Sequence, residues 1–353
     1  MICDSTYYSY VMARTVIRAV MLFAVLNNSS VYTQLFPPNP INLDLNPITI
    51  AQQWMKFKRE NGKMYNDLEE KLRFDIFTEN IKKIVMHNQK YFNGLIHYHI
   101  GINQFSDLTK NEFVKNILKL NTPSGHSYRN KRSARQKRQA LPEIDWRQRG
   151  AVTEVKNQKS CGSCWSFSAI GSLESQFFLK TGHLVSLSEQ NLMDCAVDQT
   201  NRACSGGWMS NAYDYLKNHW VTSENIYPYR GQQQECQLLS NSYQVSIKDY
   251  YTIPPNEESL KQAVSNIGPI SGAMDASNLQ FYAGGVFRDD DCDTSGYVNH
   301  GILVVGYGNE AGRDYWLIKN SWGKEWGEGG YFKLIRNRNN ECNIATYGMY
   351  PIL

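Results

Sequence analysis

Apolar residues recur at helical spacing between residues 47 and 120 and crowd into short strand-like runs in the last third of the chain. Asn46 before Pro47 is a helix start, since an Asn side chain accepts a leading N–H and a proline at the first position offers none. Gly62 marks the end of that helix. A second helix begins near Asp67 and stops near Asn93-Gly94. Along it Glu69, Arg73, Phe77, Asn80, Ile84 and Asn88 stand three or four residues apart, so all six share one stripe. Taken alone, the stripe reads as an ordinary amphipathic helix with some buried polar partners. Thr109 and Glu112 form a capping-box pattern that opens a short third helix. After a polar linker at 121–140, Cys164–Lys180 reads as a helix closed by Thr181-Gly182. The runs Gly301–Gly306, Tyr315–Ile318 and Tyr331–Ile335 read as strands.

The chain has 353 residues, long enough for more than one core, and its 42% hydrophobic and 20% charged content is that of a globular protein. A net charge of +4, with no basic stripe interleaved with aromatics, argues against a nucleic-acid partner. Near the amino end, Met12 to Arg18 is a basic stretch and Ala19–Leu26 an apolar run, together the pattern of a secretion signal. That run is far shorter than the ~20 apolar residues a membrane span needs. The expectation is therefore a leader over 1–33, with translation starting at Met1 or Met12 and Thr33 as one candidate cleavage point. Secretion permits disulfides. Seven cysteines follow the leader (Cys161, Cys164, Cys195, Cys204, Cys236, Cys292 and Cys342), so at least one stays unpaired within a monomer. Spacing alone leaves the pairing open.

The chemistry concentrates in Gln158-Lys159-Ser160-Cys161-Gly162-Ser163-Cys164-Trp165, with His300 and Asn320-Ser321-Trp322-Gly323 far downstream. A lone Cys-x-x-Cys is ambiguous among redox, metal and structural uses. Followed by Trp165, with a later His and Asn, it resembles the signature of the papain-like cysteine peptidases. The stripe Glu69 to Asn88 and Gly101-x-Asn103-x-Phe105-x-Asp107 resemble, in order, the two motifs of the cathepsin L-like propeptide. The resemblance covers nearly everything from residue 47 to the end. It implies an α+β fold of two lobes, one helical and one β-barrel-like, with a cleft between them, preceded by a helical inhibitory propeptide. The implied organisation is leader 1–33, propeptide 34–138 and peptidase domain 139–353. It implies the disulfides Cys161–Cys204, Cys195–Cys236 and Cys292–Cys342, with Cys164 free. No cofactor or metal is called for.

The implied activity is that of a cysteine endopeptidase made as an inactive zymogen. A thiol near its ordinary pKa is mostly un-ionised at neutral or acid pH, so the nucleophile needs activation. Cys164 at a helix amino end and His300 as imidazolium supply it. Asn320 is expected to hold one ring nitrogen of His300, under the cover of Trp322, which is also an expected substrate-binding residue. Gln158 and the backbone N–H of Cys164 form the expected oxyanion hole. Gly206 and Gly207 are expected to pair with an extended substrate backbone. Trp208, Met209, Ala273, Val298 and Tyr347 match the positions lining the pocket for the side chain two before the cut. Trp208 and Tyr347 are bulky there, which implies a shallow pocket favouring Leu or Val over Phe. Three departures from the family pattern stand out: Lys159 and Asn343 replace glycines, and Asn299 replaces an aspartate before His300.

Other readings use the same residues. A thiol–disulfide oxidoreductase needs Cys161 and Cys164 both free, and a zinc site would use Cys161, Cys164, Cys195 and Cys204. A binding or inhibitory homologue keeps the fold without turnover, yet all four catalytic residue types are retained here. The expected partners are protein or peptide substrates, the chain's own propeptide and cystatin-type inhibitors, with the protein a monomer. The expected location is the secretory pathway, ending in an extracellular or gut lumen or in a lysosome. The basic segment Lys131–Arg138, which includes the furin-like Arg135-Gln136-Lys137-Arg138, is most simply a solvated linker. Its position before Leu141-Pro142 makes it the expected processing site. Amino-terminal sequencing of the mature enzyme should therefore begin between Gln139 and Leu141; a terminus deep inside 141–160 would exclude that site.

Overall fold

A computed structural model describes residues 45–122, 139–237, 244–292 and 295–353. The expected leader and the basic processing segment lie outside them. Helix α1 (Pro47–Asn61) starts where Asn46 accepts the Ile48 N–H and ends on Gly62 in the left-handed conformation. Helix α2 (Asp67–Phe92) is capped by Asn66, strand β1 (Tyr98–Ile100) follows, and α3 (Lys110–Ile117) opens with the Thr109–Glu112 capping box. The stripe on α2 is more than amphipathic, because Arg73, Asn80 and Asn88 each hold a different piece of backbone. Arg73 reaches Glu112 (2.9 Å) and the Asp107 carbonyl (3.1 Å), while Glu69 braces it at 3.4 Å. Asn80 donates to the carbonyls of Ser106 and Leu108, both at 3.0 Å. Asn88 donates to the Ile100 carbonyl (2.8 Å) and accepts its N–H (3.0 Å), as a neighbouring strand would. Phe77 and Ile84 pack between them.

The remainder comprises β2 (Ile144–Asp145), α4 (Cys164–Thr181), α5 (Glu189–Cys195), α6 (Met209–Leu216), β3 (Asp249–Thr252) and α7 (Glu257–Asn266). Then come β4 (Ile270–Met274), β5 (Tyr282–Phe287), β6 (His300–Glu310), β7 (Arg313–Lys319), β8 (Tyr331–Ile335) and β9 (Met349–Ile352). Among the described residues the strands run β1-β5-β8-β7-β6-β4-β9-β3, with β2 added on β6. The sheet is therefore an open path, and the barrel-like lobe is not a closed barrel. The pairing of β5 with β8 is parallel and the others are antiparallel. Helix α4 is buried from Cys164 to Ser175, and its small buried serines are satisfied by backbone carbonyls, Ser166 on Glu189, Ser172 on Pro269 and Ser175 on Ala151. No described helix is long and apolar enough to cross a membrane.

Two apolar cores flank α4. One gathers Trp165, Ile170, Leu173, Met193, Trp208, Tyr213 and Leu216 of the helical lobe. The other gathers Tyr282, Phe287, Trp316, Trp322, Trp326 and Phe332 of the sheet. The amino-terminal region enters both: Leu120 joins the first core, and Phe105, Phe113, Ile117 and Leu118 join the second. Strand β1 also extends the sheet by pairing with β5, so docking combines backbone hydrogen bonds with buried apolar area. Asn80 is 2% exposed and holds two carbonyls, so Asn80→Ala should destabilise the docked proform by about 2 kcal/mol. A denaturant midpoint equal to that of the parent protein would refute the anchoring role.

Candidate active site

Cys164 is the first residue of α4, and the backbone N–H groups of Gly301, Trp165 and Cys164 itself are directed at its sulfur. The preceding loop is tied down on two sides. Cys161–Cys204 joins it to the turn Ala203–Ser205, and the Gln158 N–H donates to the Ser321 carbonyl at 2.8 Å. Cys195–Cys236 and Cys292–Cys342 are the other disulfides, and Cys164 is the free cysteine among the described residues. Lys159 has φ +57° and Asn343 φ +62°, so both positions adopt the left-handed conformation that glycine takes at least cost. The asparagine is the better tolerated of the two, and the Lys159 N–H is held by Asn157 Oδ1 at 2.8 Å.

His300 opens β6, and the next residue shows how near the two elements lie. A Cβ on Gly301 would sit 2.9 Å from the Cys164 carbonyl oxygen, so no larger residue fits. Asn320 follows β7, whose register sets Lys319 opposite Leu303. Asn320 Oδ1 lies 2.8 Å from His300 Nε2 and accepts the Ser321 N–H, also at 2.8 Å. A backbone N–H can only donate, so the atom facing it is the amide oxygen. Nε2 consequently carries the proton of the neutral ring, and Nδ1 is the ring nitrogen left for another partner. The Trp322 ring lies 4.7 Å from the imidazole at 32°.

Gln158 is fully buried. Its Oε1 accepts the Ser321 hydroxyl at 2.5 Å, and its Nε2 donates to the Cys161 carbonyl at 2.9 Å and toward the Ile117 carbonyl at 3.4 Å. Ile117 belongs to the amino-terminal region, whose chain crosses the site here. A Cβ on Gly206, where φ is +102°, would fall 2.0 Å from the Lys119 carbonyl oxygen. The Leu120 N–H donates to Asn299 (3.1 Å) and the Asn121 N–H to Gly207 (3.2 Å). Leu120 shares its core with Trp208, Met209, Ala273 and Val298, with Tyr347 packed against them. Tyr347 stands edge-on to Trp208 at 5.2 Å, its hydroxyl on the Gly296 carbonyl. Trp322 stands apart from this pocket. Phe105 and Phe113 meet it edge to face, both at 5.4 Å, and Gln104 donates to its carbonyl.

Burial under this segment shapes the electrostatics. It pushes the Cys164 thiol up to about 11, against the three N–H groups that favour the thiolate. It pushes His300 down to about 4, against the opposing hydrogen bond that His300 Nε2 donates to Asn320 Oδ1. Covered in this way, Cys164 is a neutral thiol and His300 a neutral imidazole whose Nδ1 has no hydrogen-bond partner among the described residues. Two hydroxyls at the site carried no signal in residue spacing: Ser321, on Gln158, and Tyr229, whose hydroxyl donates to the Gln158 carbonyl at 2.8 Å.

The chain belongs to the papain family of cysteine proteases. The family's sequence profile matches residues 141–352, and that of the cathepsin propeptide inhibitor domain (I29) matches 54–113. "Digestive cysteine proteinase 2" of Homarus americanus is 45% identical over 312 residues, covering 86% of this chain and 95% of that one. "Procathepsin L" of Rattus norvegicus is 42% identical over 317 residues, covering 86% and 93%. The structure of digestive procathepsin L 3 of Tenebrio molitor larval midgut superposes with a TM-score of 0.81 at 42% identity, covering 86% of this chain and 99% of that one. The protein is accordingly a cathepsin L-like cysteine endopeptidase in its zymogen form, with an I29 propeptide. The raised thiol pKa has a measurable consequence: iodoacetamide at neutral pH should alkylate Cys164 in the proform at least about a hundredfold more slowly than after processing. Equal rates would mean that the propeptide leaves the thiolate intact.

Proposed function

We propose that Cys164, His300, Asn320 and Gln158 hydrolyse peptide bonds through a thioester, and that residues 34–138 are the removable inhibitor of the domain 139–353. The hydrogen bond between Asn320 Oδ1 and His300 Nε2 carries this reading, because it presents Nδ1 as the ring position for the thiol proton. With the cleft open to water, proton transfer from Cys164 gives thiolate and imidazolium. The sulfur attacks the carbonyl carbon, and Gln158 Nε2 and the Cys164 N–H hold the oxygen that takes up the charge. Imidazolium passes its proton to the leaving nitrogen as the C–N bond breaks. Water, deprotonated by His300, then attacks the thioester, the C–S bond breaks and the acid product leaves.

Leu120 in the pocket of Trp208, Met209, Ala273, Val298 and Tyr347 supports the preference for Leu or Val over Phe two residues before the cut. Gly206 and Gly207 receive the substrate backbone beside that pocket. A substrate then runs from the Gly207 end toward Gln158, whereas the propeptide places Ile117 at Gln158 and Asn121 at Gly207. Reversed polarity accounts for an occupant that fills the cleft without being cut. Acid loosens the docking. Burial holds His87 and His99 below the usual histidine value, opposed by the Tyr98 carbonyl for His87 and by Glu328 for His99. Bases depressed in the docked state keep their contribution above about 6.5 and lose it as the pH falls below that. The enzyme is a monomer open to cystatin-type inhibitors, and it works in a gut or extracellular lumen or in a lysosome. No Asn-x-Ser/Thr sequon follows residue 30, which argues against glycan-directed sorting.

Acidified proprotein with reductant should gain activity as the propeptide disappears, and cleave Leu-Arg amides faster than Phe-Arg amides. Cys164→Ala should stay silent, and Tyr347→Ala should shift the ratio toward Phe about tenfold. A folded, processed wild type without turnover would refute the catalytic assignment, and an unchanged ratio would refute the pocket.

A further inference from the structure

Cys164 and Gln158 are supplied by one short loop, and a single side chain from elsewhere bridges its two ends. Tyr229 lies 66 residues beyond Ser163 in sequence, yet its hydroxyl is 2.6 Å from Ser163 Oγ and 2.8 Å from the Gln158 carbonyl oxygen. The proton order follows from the chemistry. A carbonyl only accepts, so the Tyr229 proton goes to Gln158, and the Ser163 hydroxyl must donate to Tyr229. Burial keeps the phenol protonated. The ring is fixed edge-on to Phe167 of α4 at 4.9 Å, and the Tyr229 N–H is held by Glu224 at 2.8 Å.

Ser163 is the N-cap residue of α4, and serine there ordinarily accepts an N–H of the first turn. Here its hydroxyl faces Tyr229 and caps no helix N–H. The Trp165 N–H, within reach of such a cap, is instead directed at the Cys164 sulfur. At the loop's other end, the Gln158 N–H is held by Ser321 and its carbonyl by Tyr229, and that backbone clamp aims the side-chain amide.

We propose that Tyr229 is a positioning residue for this site: its hydroxyl sets the oxyanion glutamine through the Gln158 carbonyl and draws the Ser163 hydroxyl away from the helix N–H groups that stabilise the Cys164 thiolate. The proposal rests on the catalytic reading above. It assigns one hydroxyl two separable effects, on the oxyanion hole and on the nucleophile. The titratable groups acting on this bridge are Cys164 from α4, Glu189 from α5 and Glu224 from the loop before Tyr229. His300 opens β6, whose next residue, Gly301, lies against the Cys164 backbone.

Tyr229→Phe keeps the ring and removes the bridge. In the processed enzyme kcat should fall about tenfold with KM unchanged, less than the loss on deleting an oxyanion donor because Gln158 remains. The acid limb of the pH profile for iodoacetamide alkylation of Cys164 should move up by about half a pH unit as Ser163 turns back to cap the helix. Adding Ser163→Ala to Tyr229→Phe should return that limb to its wild-type position without restoring kcat. A lowered melting temperature with wild-type kcat and acid limb would overturn the proposal, as would a loss confined to KM. Persistence of the shifted limb in the double variant would overturn the thiolate half. Alkylation needs no turnover, so it tests the bridge even if wild-type enzyme cleaves nothing, and that failure would fall on the catalytic reading alone.

Discussion

The approach of the amino end of α4 to the first residues of β6 is the constraint on which the rest of the site depends. Gly301 leaves no room for a side chain between its own backbone and the Cys164 carbonyl, and His300 rides on that contact. From there the sheet does the placing. The β6–β7 register brings Lys319 opposite Leu303, and the chain then delivers Asn320 to the imidazole. A slip of one residue would turn Asn320 to the opposite face, so the hydrogen bond is specified by strand pairing rather than by any local turn. The Lys319 ammonium donates to Thr153 at 2.9 Å in the interior and holds the same strand end from behind.

The propeptide acts as a third wall of this arrangement. Its apolar residues complete both cores, Phe105 and Phe113 pack on the tryptophan that covers His300, and Leu120 fills the pocket beside Gly207. One cause then has two effects. The chain blocks the cleft sterically, and by excluding water it removes the solvation that an ion pair needs. On the proposed catalytic reading, inhibition and discharge of Cys164 are a single event, which departure of the segment would reverse.

Helix boundaries were legible in the sequence because caps are local chemistry: Asn46, Gly62, Thr109 and Gly182 each act within one turn. The polar members of the α2 stripe were visible as a pattern. Their function was not, because Asn80 and Asn88 bond to backbone that only the fold brings near. Strand β5 contains Gly284-Gly285, which reads as a turn, and β9 contains Pro351, which argues against a strand unless it lies at a free N–H position. Cys164, His300, Asn320 and Gln158 were singled out by motif, whereas Tyr229 had no motif to mark it. The barrel-like lobe that the resemblance implied is present and is built on an open path of strands, a detail that depends on long-range pairing.

The contacts that dock the propeptide fall into two chemical kinds. Asn103 and Gln104 use neutral amides on the Gln280 and Trp322 carbonyls of the enzyme, as Asn80 and Asn88 do on the propeptide's own backbone, and no pH between 4 and 8 changes them. His87 sits against β1 through the Tyr98 carbonyl and His99 lies within that strand, which extends the enzyme's sheet, and these do change. On the proposed reading, acid is expected to weaken the β1 contact while the neutral amide anchors stay intact. Within the propeptide, Arg73 and Asn80 hold the segment from Ser106 to Glu112 away from those histidines, while the neutral amide of Asn88 holds Ile100 beside them, so the expected first event is release of the β1–β5 edge by a still-folded inhibitor. The segment at Ile117–Asn121, joined to that inhibitor through α3, then loses its tether and the cleft opens from the sheet side.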